Sequence, residues 1–391
     1  MKNLLTADIL DQIDFSTVLE VERATLSKIN DTSKQDYLWQ RLEELLYTDF
    51  NLPIDQSAEI MGFRSLDRSD YEQLFDAVLR NTNGSVIRAE NYRQTRQYAN
   101  QDAAQFVHDS TILMRYIDEP STLQRSCLYV HLCLHFWVVE KLFSNHFSKL
   151  VLFGDMQSVE NLAVQLARIF GIKTATMQHG LYVDYGTYNT INVVNYLNHN
   201  SDYFLAWGEE TKSLIEKHRS NAQVVICGNP TLAKEESTLS SDKVTGEYIL
   251  VVLDQVIFKE QNLAMLKCVS QYASRLNIPV AVRCHPSDNK QNYFTKIPGL
   301  VDDGNVSKAL FVVGHTTTLL FEILARGIPT VQFVSDIPRI NLPGALQFND
   351  VDSLAEIELD AHDFLALARH YVASCGEQAE IQYRSFFSQI F

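Results

Sequence analysis

The chain lacks paired cysteines, an excess of positive charge and long apolar runs, and each lack removes a class of protein. Its six cysteines (Cys127, Cys133, Cys227, Cys268, Cys284 and Cys375) contain no C-x-x-C pair. That pattern fits reduced thiols better than a disulfide framework, and it carries no zinc signature. Lys and Arg number 33 against 48 Asp and Glu, a net charge of -15. A phosphate polymer is repelled by such a chain, so no nucleic-acid partner is expected. A small phosphorylated ligand is still admissible where positive groups gather locally. No window approaches the ~18 uncharged apolar residues of a membrane span. The opening "MKNLLTADILDQIDF" acquires acids too early for a secretory signal. The expected location is therefore the cytoplasm, with peripheral association at the inner face of the membrane as the furthest extension.

What is present is an ordinary globular composition, 46% hydrophobic over 391 residues. That length exceeds one core of ~100–200 residues, so two domains are expected. Residues 1–147 read as mainly helical, part of an N-terminal domain. "STLQRSCLYVHLCLHFWVVEKLF" is a long buried helix, and its Cys127, His131, Cys133 and His135 read as core packing. From Lys149 the texture alternates. Strand 149–153, helix "MQSVENLAVQLARIFG" and strand 174–177 form a βαβ unit, which implies parallel strands. The Rossmann-like part of this domain spans 148–230. A polar stretch, 231–247, reads as the linker. A second alternation over 248–360 predicts a C-terminal Rossmann-like domain, and 361–391 close the chain as helices. The fold class expected is α/β, with two Rossmann-like domains facing a central cleft and a helical N-terminal region.

Polar motifs fall at the strand ends, where open α/β sheets bind ligands. "VVGHTTTLLFEILARG" places Gly314, His315, Thr316, Thr317 and Thr318 in a turn from strand to helix. Plain capping needs one threonine. The turn has more than that, and hydroxyl and backbone donors there suit an anion. Glu322, a turn and a bit further on, could reach a ribose hydroxyl. "VRCHPSDN" puts Arg283, His285 and Ser287 in another such loop, a set suited to a departing phosphate. Asn229 in "GNP" and Gln255 in "DQ" occupy further strand ends as donor-binding candidates. In the first domain His179 in "MQHGLY" is a candidate base, histidine having a near-neutral pKa. Asp184 follows closely and either orients it or is itself the base. Asp155 in "VLFGDMQS" is a third candidate, with helix capping as its plain alternative.

These motifs together resemble the bacterial GT-B glycosyltransferases of capsule and surface-polysaccharide assembly. That group includes the capsule Kdo transferases, the sialyl- and polysialyltransferases and the teichoic-acid-type glycerophosphotransferases. The likeness covers roughly 149–335. It implies that His285 and Thr316–Thr318 contact the donor phosphate, while His179 or Asp155 activates the acceptor hydroxyl. The sequence departs from the sialyltransferases in lacking an acidic-acidic-Gly motif, and from the glycerophosphotransferases in reading "GHTTTLLFE" for an Asp-Tyr-Ser-Ser type turn. The non-hydrolysing UDP-GlcNAc 2-epimerases are also similar at "VLFGDMQSVENLAVQLA", but they carry an acid where this chain has His179. The expected activity is transfer of a sugar from a nucleotide-sugar donor to a glycan or glycolipid acceptor, with no metal or cofactor required. A CDP-polyol phosphotransferase, a 2-epimerase-like enzyme and a catalytically silent nucleotide- or glycan-binding subunit are the alternatives.

Overall fold

The computed structural model describes residues 4–50, 58–66, 68–82, 85–89, 93–188, 190–219, 222–232, 247–286, 288–302 and 304–391. Two parallel six-stranded sheets dominate it. In chain order the strands are β1 Thr48–Phe50, β2 Ile60–Phe63, β3 Val86–Ala89, β4 Arg93–Thr95, β5 Lys149–Leu152, β6 Lys173–Met177, β7 Tyr203–Ala206, β8 Gln223–Ile226, β9 Tyr248–Val252, β10 Val280–Arg283, β11 Leu300–Val301, β12 Ala309–Gly314, β13 Thr330–Phe333 and β14 Gln347–Phe348. The first sheet runs β3-β2-β5-β6-β7-β8 and the second β11-β10-β9-β12-β13-β14. A small antiparallel pair, β1 with β4, stands apart.

Strands covered on both faces read as unbroken apolar runs. β9, "YILVV", is buried along its whole length for that reason. The order of the second sheet is the doubly wound 3-2-1-4-5-6, with its switch point between β9 and β12. In the first sheet the direction of winding reverses between β2 and β5. Residues 1–147 thus contribute two strands, β2 and β3, to the first sheet, besides their helices. The sequence reading had no strand there. "IMGF" and "VIRA" are four residues each, too short to show a period of two between helical patterns.

One face of the first sheet packs on the helical layer. Leu150 and Leu152 of β5 share a core with Leu128, Leu132 and Val139 of the Thr122–Leu142 helix and with Leu162 and Leu166 of the Ser158–Ile169 helix. The opposite face joins a core that runs on into the second domain, from Val151 and Met177 to Val251 and Val312.

The chain end does not stay with the second domain. Residues 370–375 run against the first, where Ala373 N donates to Trp207 O at 2.8 Å and Asn229 N to Ser374 O at 2.9 Å. The Gly376–Gln389 helix then seats Phe386 and Phe391 on Tyr203, with ring centroids 5.5 and 6.0 Å apart. Gly228 is forced by this passage. Its φ is +81°, and a Cβ there would lie 2.2 Å from Ser374 O. Most of the 231–247 linker stretch lies outside the described residues.

Candidate functional site

The cleft between the sheets is lined at the strand ends of both domains. It holds two cavities of about 370 and 690 Å³, within the range of small-molecule sites. Arg68, Asp70, Tyr71, His179, Arg283, Pro286 and Glu322 border both.

The wall from the first domain begins after β2. The turn into the Ser69–Leu79 helix brings Arg68 to the cleft and fixes it there. Its guanidinium donates to the Asp70 carboxylate at 3.1 and 2.6 Å and to Tyr71 Oη at 2.9 Å, and it lies 4.0 Å above the Tyr71 ring. The loop after β6 is pinned by buried Gln178. Its side chain donates to Gly180 O at 2.8 Å and to Thr211 Oγ at 2.9 Å, and accepts from Trp207 N at 2.6 Å. With Gln178 held on both sides, His179 projects among Tyr71, Phe153 and Tyr182. Its Nδ1 lies 3.0 Å from Tyr182 Oη. Burial, and then the Arg68 charge, push its pKa down to about 4, so the imidazole is neutral at pH 7.

Beneath this wall the first sheet's switch point is filled by the protein itself. Fully buried Glu160 accepts from Ser65 N at 2.8 Å, Ser65 Oγ at 2.7 Å and Gly154 N at 2.5 Å. These are the strand-end donors that would meet a phosphate in a dinucleotide site, so a carboxylate occupies the position. Burial lifts the Glu160 pKa to about 7.

The second domain's switch point opens on the cleft. Asp254, after β9, accepts from Thr316 N at 3.2 Å, and burial pushes its carboxyl up to about 7. Thr316 Oγ is buried without a hydrogen-bond partner among the described residues. Thr317 precedes the Thr318–Leu324 helix, yet no side chain caps it. Capping therefore does not account for the three threonines. Thr318 Oγ instead accepts from Leu181 N of the first domain at 3.1 Å. His285 is half-buried, and its pKa is lowered by burial and then by Arg68. Glu322 is pushed up to about 7 by burial, against the opposing charges of Arg326 and Arg283.

His179, Arg283, His285, Thr316, Thr317, Thr318 and Glu322 thus meet at one cleft, with exposed Gln255 on its border. Other candidates stand elsewhere. Asp155 is buried and holds a loop, its carboxylate accepting from Asn200 N at 2.7 Å and Ser201 N at 2.9 Å beside His199 at 2.9 Å. Burial opposes its ionisation, but His199 and those amides hold its pKa below the usual value. Such a group is not a base facing the cleft. Asp184 turns away to Lys217, 2.6 Å distant, so Tyr182 and not Asp184 orients His179. His315 lies behind its turn, fully buried, with Nε2 2.8 Å from Ser335 Oγ. Gly314 is a packing position, where a Cβ would come within 2.9 Å of Leu320. Asn229 borders the larger cavity, but its amide and carbonyl bind the chain end, Ser374 O and Gly376 N. Ser287 lies outside the described residues.

Arg68, Tyr71 and Asp254 were missed as site residues. For Asp254 the signal was present, since it ends the apolar run of β9. For Arg68 and Tyr71 it was not, because the strand before them went unread.

No model of a known protein family matches the chain, and no curated protein matches it. Solved structures do. A protein from Listeria monocytogenes assigned as a UDP-N-acetylglucosamine 2-epimerase aligns at TM-score 0.50 and 13% identity, covering 86% of this chain and 98% of that one. The UDP-GlcNAc 2-epimerase from Neisseria meningitidis, bound to UDP-GlcNAc, gives 0.49 and 12%, with 85% and 100% covered. The wall teichoic acid polymerase TagF gives 0.45 and 10%, with 97% of each chain covered. At these identities the likeness is one of fold, and the fold is GT-B-like: two Rossmann-type domains across a cleft. Among the described residues no helix is long and apolar enough to cross a membrane.

Proposed function

We propose that the chain is a GT-B-type transferase that moves a sugar from a nucleotide-activated donor to a hydroxyl of a growing surface glycan. The observation that carries this reading is the meeting, in one cleft, of His179 from the first domain with Arg283, His285, Glu322 and the threonine turn from the second. Transfer breaks the bond between the anomeric carbon and the donor phosphate and forms one to the acceptor oxygen. The acceptor loses a proton, and the departing phosphate gains charge. His179, already neutral, takes the proton. Arg283 and the unpaired Thr316 hydroxyl meet the phosphate, where positive and hydrogen-bonding groups fixed in advance act most strongly. Glu322 accepts from ribose hydroxyls. The transfer step needs no metal, since the arginines supply the countercharge.

A thermal-shift screen against CMP, CDP, UDP, GDP and ADP tests the donor site. A ligand at ~100 times its dissociation constant stabilises by about 2.7 kcal/mol, enough to raise Tm visibly. A CMP response points to a sialic-acid or Kdo donor, and a UDP or GDP response to a hexose donor. A CDP response favours transfer of a polyol phosphate. No response to any of the five overturns the donor site. Conversion of UDP-GlcNAc to its 2-epimer without an acceptor replaces transfer by epimerisation.

A further inference from the structure

The Thr122–Leu142 helix carries His131 and His135 one turn apart on the same face, both buried. The Glu20–Leu26 helix lays Glu22 against them. Glu22 Oε1 is 2.9 Å from His131 Nε2, which is 2.6 Å from His135 Nε2. The three donor atoms lie within 4.8 Å of one another. Two imidazole nitrogens do not face each other so closely with lone pairs opposed; a proton or a metal cation must lie between them. A His131 N–H shared between Glu22 and His135 is the metal-free alternative, whereas a cation satisfies all three converging donor atoms at once. Tyr37 Oη is 3.0 Å from His131 Nδ1, the ring nitrogen turned away from the cluster. Ser158 Oγ donates to Glu22 Oε2, leaving Oε1 to face inward. Outer partners of this kind orient metal ligands, and two imidazoles with one carboxylate suit a divalent transition ion.

We propose that Glu22, His131 and His135 bind a zinc-type divalent ion in the helical layer, with a water completing four-coordination. None of the three borders the cleft cavities, so the ion is structural. It clasps the Glu20–Leu26 helix to the Thr122–Leu142 helix and, through Ser158, to the helix that carries Glu160. Around an ion about 2.05 Å from each ligand, neighbouring donors stand about 3.3 Å apart, so binding widens the 2.6 Å gap by small side-chain rotations.

The test uses the full chain purified without metal-affinity chromatography. Elemental analysis is expected to find one equivalent of metal. After stripping with a chelator, Co²⁺ should give a four-coordinate visible spectrum without a thiolate charge-transfer band, and Zn²⁺ should raise Tm. Glu22→Gln and His135→Gln should bind at least about 10-fold more weakly, circular dichroism reporting whether each variant folds. If the variants do not fold, the wild-type measurements decide alone. A metal content below about a tenth of an equivalent, with neither a Co²⁺ spectrum nor a Zn²⁺-dependent Tm, overturns the site in favour of a shared proton. A thiolate band overturns it by moving the metal to cysteine.

Discussion

The backbone amide of Leu181 donates to the hydroxyl of Thr318 at 3.1 Å, joining the loop that carries His179 to the turn at the second domain's switch point. The bond ties the two walls of the cleft directly at the site. Thr318→Val keeps the shape and removes the acceptor. The donor KM is expected to rise several-fold with little change in kcat, because the assembled cleft becomes less populated. Faster hydrogen exchange at Leu181 is the structural readout, and unchanged exchange would sink the idea.

The ionisation of His179 makes a pH profile informative. Its pKa is held near 4, so the form that accepts a proton is present at all higher pH and is lost as pH falls through about 4. Turnover should stay level from pH 8 to 5 and then fall. Arg68→Gln removes a neighbouring positive charge, so the acid limb should move to higher pH. A limb near 7 in the wild type would instead assign the proton to Glu322 or Asp254, the cleft carboxyls near that value. His179→Ala should lower turnover by about 10²–10⁴-fold, the usual worth of a general base.

Glu160 is buried, borders neither cleft cavity and ties the ends of β2 and β5 together. Glu160→Gln replaces one accepting oxygen with an amide that cannot accept, which leaves Gly154 N or Ser65 N unpaired in a dry interior. A loss of about 1–3 kcal/mol is expected in urea denaturation.

Gly228→Ala tests the passage of the chain end. The new methyl group would collide with Ser374 O, at a φ that side chains rarely adopt. A loss of at least about 2 kcal/mol is expected, together with early proteolysis beyond residue 370.

The legible parts of this molecule are those in which chemistry follows a fully buried strand. "YILVV" announces β9 and therefore the loop at Asp254; "VAVR" likewise announces Arg283. Arg68 could not be read, because a four-residue strand leaves no period and its loop then has no address. Proximity in sequence misled at Asp184. Only four residues separate it from His179, but the loop turns its carboxylate out to Lys217. His315 misled in another way. In a turn leaving a sheet, alternate residues point into and out of the protein, and composition alone does not say which. Two buried histidines on an apolar helix read as packing, and the sequence gives no sign that Glu22, more than a hundred residues away, lies beside them.

The chain passes from one domain to the other twice, after Leu232 and again near Tyr371. The second crossing is fastened to the first domain by backbone bonds, Ala373 N to Trp207 O and Asn229 N to Ser374 O, so the last residues of the chain act as a strap holding one half of the molecule to the other.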